Sequence, residues 1–275
     1  MIYGISFSPT KTTEEIVNAI SSVLSKECKS VSLTPPSSRE QEYEFTADDT
    51  VVVGFPTYAG RIPNLTLPVF NNIKGNGAKA IAIVTYGCRA YEDSLLELTR
   101  LLRDCGFGII GAAAFPTRHS FTNVLGTDRP NVKDLQKARD FSNAIANNCQ
   151  LSIANCQSKE ILLDEKRELR PYYIPKTSED DEAKKMRKEF LKAHPVVNPD
   201  KCVTCGTCVA SCPMGSITIN SDKLPEVTGI CIKCCACVRN CNFTAMTFDA
   251  PSYLYHKNDL ESKYALNNPE PEFFV

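Results

Sequence analysis

The chain of 275 residues contains no tryptophan and only three histidines. The first absence rules out a tryptophan stack on any flat ring the protein binds. The second leaves few side chains that change charge near neutral pH. No apolar run approaches the roughly 18 residues of a transmembrane helix. Formal net charge is −1 and the pI about 6.3, so nothing electrostatic argues for a nucleic acid or an anionic membrane as partner. The opening Met1-Ile-Tyr-Gly-Ile-Ser lacks a basic stretch followed by a long apolar one, and the expectation is a cytoplasmic protein. Neither a G-x-G-x-x-G fingerprint nor a Walker loop occurs, so direct use of a nicotinamide nucleotide has no support in the sequence.

Cysteine, by contrast, is abundant, with 14 in the chain. Eight of them form two C-x2-C-x2-C-x3-C motifs: Cys202, Cys205, Cys208 and Cys212, then Cys231, Cys234, Cys237 and Cys241. The second motif repeats the first at an offset of 29 residues, and the apolar pairs Ile217/Met246 and Ile219/Phe248 keep the same offset. This spacing suits an iron–sulfur cube. Three thiolates two residues apart wrap three corners, and the fourth cysteine points away to ligate the other cluster. One [4Fe–4S] cluster is therefore expected on Cys202, Cys205, Cys208 and Cys241, and a second on Cys231, Cys234, Cys237 and Cys212. Zinc sites use paired C-x2-C knuckles set well apart, which this pattern does not match. Disulfides need an oxidising compartment. Cys235 would break the repeat as a ligand and is read as a non-ligand. The remaining Cys28, Cys88, Cys105, Cys149 and Cys156 have no metal spacing and read as small buried apolar residues. The doubled motif resembles the bacterial two-cluster ferredoxins over residues 196–249, a small α+β domain. Asn242 stands where that family often has proline.

Residues 1–150 alternate strand and helix patterns. Apolar runs at Met1–Phe7, Val31–Leu33, Val51–Phe55, Lys79–Thr85 and Phe107–Phe115 read as strands. Helical patterns are expected at Glu14–Lys26, Leu65–Ile73, Tyr91–Cys105 and Val132–Asn148. Five strands with helices between them give an α/β, doubly wound parallel sheet, and the flavodoxin-like strand order 2-1-3-4-5 fits that count. Ligands of such sheets bind beyond the carboxyl ends of the strands. Ser8-Pro9-Thr10-Lys11-Thr12-Thr13 opens the first helix, and its hydroxyls and free N–H groups make an anion cradle. Pro56-Thr57-Tyr58-Ala59-Gly60 follows the third strand, and Thr85, Tyr86, Gly87 and Tyr91 follow the fourth. Each of these two loops offers glycine for close approach and tyrosine for stacking.

The first loop resembles the flavodoxin phosphate loop, S/T-x-T-x-x-T, with Lys11 where glycine is frequent. The other two resemble the flavodoxin loops that sandwich the isoalloxazine. That resemblance covers residues 1–150 and implies bound FMN. His119 and Arg118 lie after the fifth strand at the same edge; His119 reads most simply as a loop hydrogen-bond partner. Residues 158–194 hold ten basic and nine acidic residues among 37 and no glycine, which reads as a charged connector within 151–195, with a helix at Glu179–Ala193. Residues 250–275 are rich in aromatics and are expected to pack back on a domain.

Together the two halves resemble the flavodoxin–ferredoxin fusions of anaerobes called ferrodoxins. The resemblance implies electron transfer: an FMN and two [4Fe–4S] clusters relaying single electrons to ferredoxin-type redox partner proteins. A second reading is an FMN-dependent reductase of a small-molecule acceptor, with Tyr86, Tyr91, Arg118 or His119 as proton donor. In a third, the first domain is a docking module without flavin.

Overall fold

In a computed structural model of the chain, residues 1–149, 167–171 and 180–275 are described. The elements of the first domain alternate: β1 (Ile2–Ser6), α1 (Thr12–Leu24), β2 (Cys28–Ser32), β3 (Thr50–Pro56), β4 (Lys79–Tyr86), α2 (Ser94–Asp104), β5 (Gly108–Pro116) and α3 (Val132–Asn148). The strands pair in parallel in the order 2-1-3-4-5, the flavodoxin-like arrangement.

Period-two burial explains why the central strands are apolar throughout. Val51, Val53 and Phe55 enter the core under α2, whereas Val52, Ile81 and Ile83 meet Ile16, Val17 and Ile20 of α1 and Phe141 and Ile145 of α3. α3 occupies the span its periodicity predicts, because its start is fixed locally. Asn131 accepts from the N–H groups of Lys133 and Asp134, and Asp134 accepts from the Asn131 N–H, a reciprocal cap. α2 starts at Ser94, later than expected. Residues before it are held in a turn, with the Asp93 N–H donating to Gly60 O at 2.9 Å. Asn64–Asn72 is a 3₁₀ helix containing Pro68, not an α-helix.

The expected connector falls partly outside the described residues, as does Cys156. Of the connector, 167–171 and the helix α4 (Asp181–Lys192) are described, α4 being capped by the Asp180 carboxylate on the Ala183 N–H at 2.7 Å. The cysteine-rich region follows: β6 (Val196–Val197), α5 (Thr207–Ala210), β7 (Ile217–Ile219), β8 (Pro225–Val227), α6 (Ala236–Arg239) and β9 (Met246–Thr247). β7 pairs with β8 and β6 with β9, both antiparallel.

The chain then returns to the first domain. α7 (Pro251–Tyr264) packs on α4, and Tyr253 stacks on Phe248 at 4.1 Å. β10 (Glu272–Phe274) pairs antiparallel with Ala112–Ala114 of β5. The sheet therefore has six strands where the sequence pattern predicts five. Phe273 explains the docking: its ring lies 5.1 Å from Phe141 and 5.6 Å from Phe115. Among the described residues twelve cysteines are free thiols. Cys88 and Cys235 are buried, Cys28 and Cys105 only half-buried, and Cys149 is disulfide-bonded, which corrects its reading as a free apolar residue. Among the described residues no helix is long and apolar enough to cross a membrane.

The α1–β3 contact has no spare room. A Cβ built on Gly54 would lie 2.3 Å from Val17 Cγ2 and 3.0 Å from Thr13 Cγ2. Gly54→Ala is expected to cost about 1–3 kcal/mol by overpacking, measured as a lower urea midpoint with an unchanged slope.

Candidate redox centres and flavin loops

Two cavities lie in the cysteine-rich region. The first is lined by Cys202, Cys205, Cys208 and Cys241, with Phe243 and Met246. The second is lined by Cys212, Cys231, Cys234 and Cys237, with Ile217 and Phe248, and by the additional Cys235. Each cavity thus draws three thiols from one motif and the fourth from the other. The thiols surround a space without converging on a point. Among the described residues no three His, Cys, Asp or Glu side chains are placed to hold a single ion. An open ring of four sulfurs fits the four corners of a cube.

The two cavities repeat even their backbone contacts. The Ser216 N–H donates to Cys212 Sγ at 3.4 Å, and the Ala245 N–H donates to Cys241 Sγ at 3.3 Å, again 29 residues on. Bonds of this kind stabilise thiolate charge and tune a cluster's potential. The environments differ, however. Cys205 is exposed, and the Thr207 hydroxyl and N–H hold its thiol below the ordinary range. Burial pushes the Cys231, Cys234 and Cys237 thiols up, Cys234 to about 12. The second cavity is the drier of the two, and its thiolates need a compensating cation.

Cys235 occupies the place of Gly206 one repeat earlier, and both have positive φ, 61° and 75°. It lines the second cavity and also packs with Ala193 and Tyr253, its Sγ 3.3 Å from the Tyr253 hydroxyl.

The flavin-type loops converge at the carboxyl edge of the sheet. Lys11 has φ 68°, a conformation that glycine adopts freely, which is the physical reason glycine suits that position. Ser8 Oγ accepts from the Glu14 N–H at 3.0 Å, and the Thr13 and Thr85 hydroxyls share a hydrogen bond of 2.7 Å. Ser8 and Thr13 are therefore occupied in building the loop. The hydroxyls of Thr10 and Thr12, and the N–H groups of Thr10, Thr12 and Thr13, have no partner among the described residues. A cradle narrower than the expected one remains, and it suits a phosphate. Thr57 N–H donates to Thr85 O at 2.7 Å, which ties the second loop to the third. Tyr58-Ala59-Gly60-Arg61 is a tight turn closed in both directions between Tyr58 and Arg61, with φ 52° at Ala59 and 82° at Gly60. Pro56 ends β3 beside it.

The tyrosines part company. Tyr58 is half-buried, and its phenol is held well above the ordinary range by burial and by the charge of Cys234 and Cys235. Tyr86 is buried, and burial pushes its phenol to about 12. Tyr91 lies 5.5 Å from Tyr86, and its hydroxyl donates to Glu272 of the tail at 2.6 Å. Gly87 lies against His119: a Cβ there would be 2.4 Å from the imidazole. His119 Nδ1 accepts from the Phe121 N–H at 3.2 Å, the loop bond expected of it.

Sequence reasoning missed a buried charge network behind the second loop. Arg61 forms a bidentate pair with Glu97, at 2.9 and 2.5 Å, and donates to Arg170 O. Asp93, fully buried, pairs with Arg167 at 2.7 Å and accepts from the Arg170 N–H at 2.6 Å. The partners are 36 or more positions apart, so no local pattern marks them.

Comparison with known proteins matches residues 195–218 to the 4Fe-4S binding domain. No curated protein matches the chain. Among solved structures, a flavodoxin from the domain Archaea is 15% identical over 54% of this chain and 96% of that one, at TM-score 0.35. A Streptococcus pneumonia TIGR4 flavodoxin is 16% identical over 54% and 99%, at 0.36. The apo form of an NADH:FMN oxidoreductase is 17% identical over 54% and 88%, at 0.39. The fold assignment rests on the strand order itself. The chain joins a flavodoxin-type sheet to a ferredoxin-type 4Fe–4S region, and it is a redox protein.

Burial, with the charges of His256, Arg239 and Arg89, holds His119 down at about 4, against 6.5 for the free group. The unfolded chain then binds one more proton between those values, so stability rises with pH through that window. The urea midpoint is expected to fall from pH 7 to pH 5, and His119→Gln should remove part of that slope.

Proposed function

We propose that the protein is an electron-transfer flavo-iron–sulfur protein, relaying single electrons between two [4Fe–4S] clusters and FMN. The observation that carries this reading is the pair of four-cysteine cavities, the second of them set beside the flavin-type loops. When bound, the clusters supply one-electron transfer and the flavin supplies both one- and two-electron chemistry.

The chain's own residues would do the rest. Cys202, Cys205, Cys208 and Cys241 hold the outer cluster; Cys231, Cys234, Cys237 and Cys212 hold the inner one. Thr10 and Thr12, with the N–H groups of Thr10, Thr12 and Thr13, would seat the FMN phosphate in the loop that Ser8, Pro9, Lys11 and Thr13 build. Pro56, Thr57, Tyr58, Ala59 and Gly60 face Thr85, Tyr86, Gly87 and Tyr91 across the ring. Val203, Ile219 and Phe243 are exposed around the outer cavity, beside the exposed Cys205, which supports a redox partner protein docking there. The carrier is favoured over a reductase of a small acceptor because the ferredoxin-type half docks on the loops of that edge, Asn240 donating to Pro9 O and Arg239 holding the loop after β5.

Anaerobic purification with flavin, iron and sulfide counted per chain tests the reading. One FMN with about eight irons is the expected result, and eight irons without flavin would leave a ferredoxin on a docking domain. Cys241→Ser should disturb the exposed cluster and spare the buried one, read by electron paramagnetic resonance. The reverse pattern would show that the fourth ligands are not crossed.

A further inference from the structure

One short segment of the ferredoxin-type half meets the phosphate loop directly and the third flavin loop through His119. Asn240 Nδ2 donates to Pro9 O of the phosphate loop at 3.1 Å. Arg239, one residue earlier, uses its whole guanidinium on the loop after β5. Nε donates to Ser120 O at 3.0 Å, Nη1 to Asn123 Oδ1 at 2.5 Å, and Nη2 to Thr122 O at 2.5 Å and His119 O at 3.2 Å. His119 in turn is the residue wedged against Gly87 of the third loop.

A second path runs from the same cavity. Pro213, next to Cys212, accepts from Arg39 Nη2 at 2.6 Å. Arg39 Nη1 holds Leu33 O and Thr34 O, and Thr34 Oγ1 accepts from the Ser8 N–H at 2.9 Å. The phosphate loop is thus braced from both sides by residues adjoining the second cavity.

The bracing segment has little structure of its own. α6 is a single turn of four residues, far too short to persist alone. Its place is fixed by its flanks: Cys237 lines the second cavity, Cys241 lines the first, and Arg239 and Asn240 lie between them. Ligands of an iron–sulfur site are ordered by the metal they hold, so binding and folding are coupled.

We propose that residues 234–240 form a fourth wall of the flavin site, and that Arg239 and Asn240 couple retention of FMN to retention of the second cluster. The inference rests on the reading of the loops as an FMN site and of the cysteines as cluster ligands. Both residues are positioning residues; they hold loops and touch neither group. Coupling between two ligands is reciprocal in binding free energy, so FMN must strengthen retention of iron by the factor by which iron strengthens binding of FMN, and slower loss of iron is the expected kinetic sign of it.

The test uses the full-length, cluster-loaded chain with iron content matched between variants. Anaerobic equilibrium dialysis gives the Kd for FMN. Arg239→Ala is expected to weaken FMN binding about tenfold, within the usual range of coupling between sites. Arg239→Lys, which keeps one charged donor, should recover part of the loss, and Asn240→Ala should show a smaller loss while removing a single hydrogen bond. The second readout is the rate of iron loss to a chelator, with and without FMN. FMN should slow it in the wild-type chain and have no effect in Arg239→Ala, a difference that a merely weakened fold would not produce. Equal Kd values at equal iron content, or undiminished protection by FMN in Arg239→Ala, would overturn the inference while leaving the flavin reading intact. A loaded wild-type chain that takes up no FMN would overturn both.

Discussion

Each cavity of the cysteine-rich region is closed by a thiol from the other motif: Cys241 completes the first and Cys212 the second. That exchange makes two repeats into one body, since neither motif can surround a cluster alone. It also dictates where the chain goes between ligands. The segment from Cys237 to Cys241 must leave one cavity and reach the other in a single helical turn, and the side chains it exposes on the way are Arg239 and Asn240. The contact between the halves is therefore carried by the stretch of chain whose path has the least freedom.

On the other side of that contact, the sheet supplies an edge where several loops end together. Thr85 illustrates how tightly they are joined. Its hydroxyl meets Thr13 of the first loop and its carbonyl accepts from Thr57 of the second. A shift of any loop is felt by the others, so the docked half touches a connected surface and not independent loops. The burial difference between the cavities follows from this arrangement: the cavity beside the loops is dry, and the one facing away keeps Cys205 in solvent.

What could be read from the sequence was local or periodic. The 29-residue repeat put all eight cavity cysteines on the page, because cluster ligation is encoded in spacing. Apolar runs marked the parallel strands, and the helical pattern marked α3 at Val132–Asn148. The failures have a common cause in distance along the chain. Glu272–Phe274 is a three-residue strand, mostly exposed, whose partner on β5 lies more than half the chain away. Nothing within it signals pairing. Arg239 looks like any arginine between two cysteines until its four acceptors are known. The hydroxyls of the first loop were overcounted for the opposite reason: Ser8 and Thr13 are used by neighbours that only the folded state brings near.

The final strand also sets an order of assembly. β10 completes the edge of a sheet whose other strands lie within the first 116 residues, and it is synthesised only after every cysteine of both cavities. Until then β5 presents an unpaired edge, the kind of surface on which chains associate wrongly. A nascent chain thus emerges with its first domain nearly built and one border still open. In chain order the ferredoxin-type region is an insertion into the first domain's sheet and not an appendage to it. The ribosome finishes the older-looking half last.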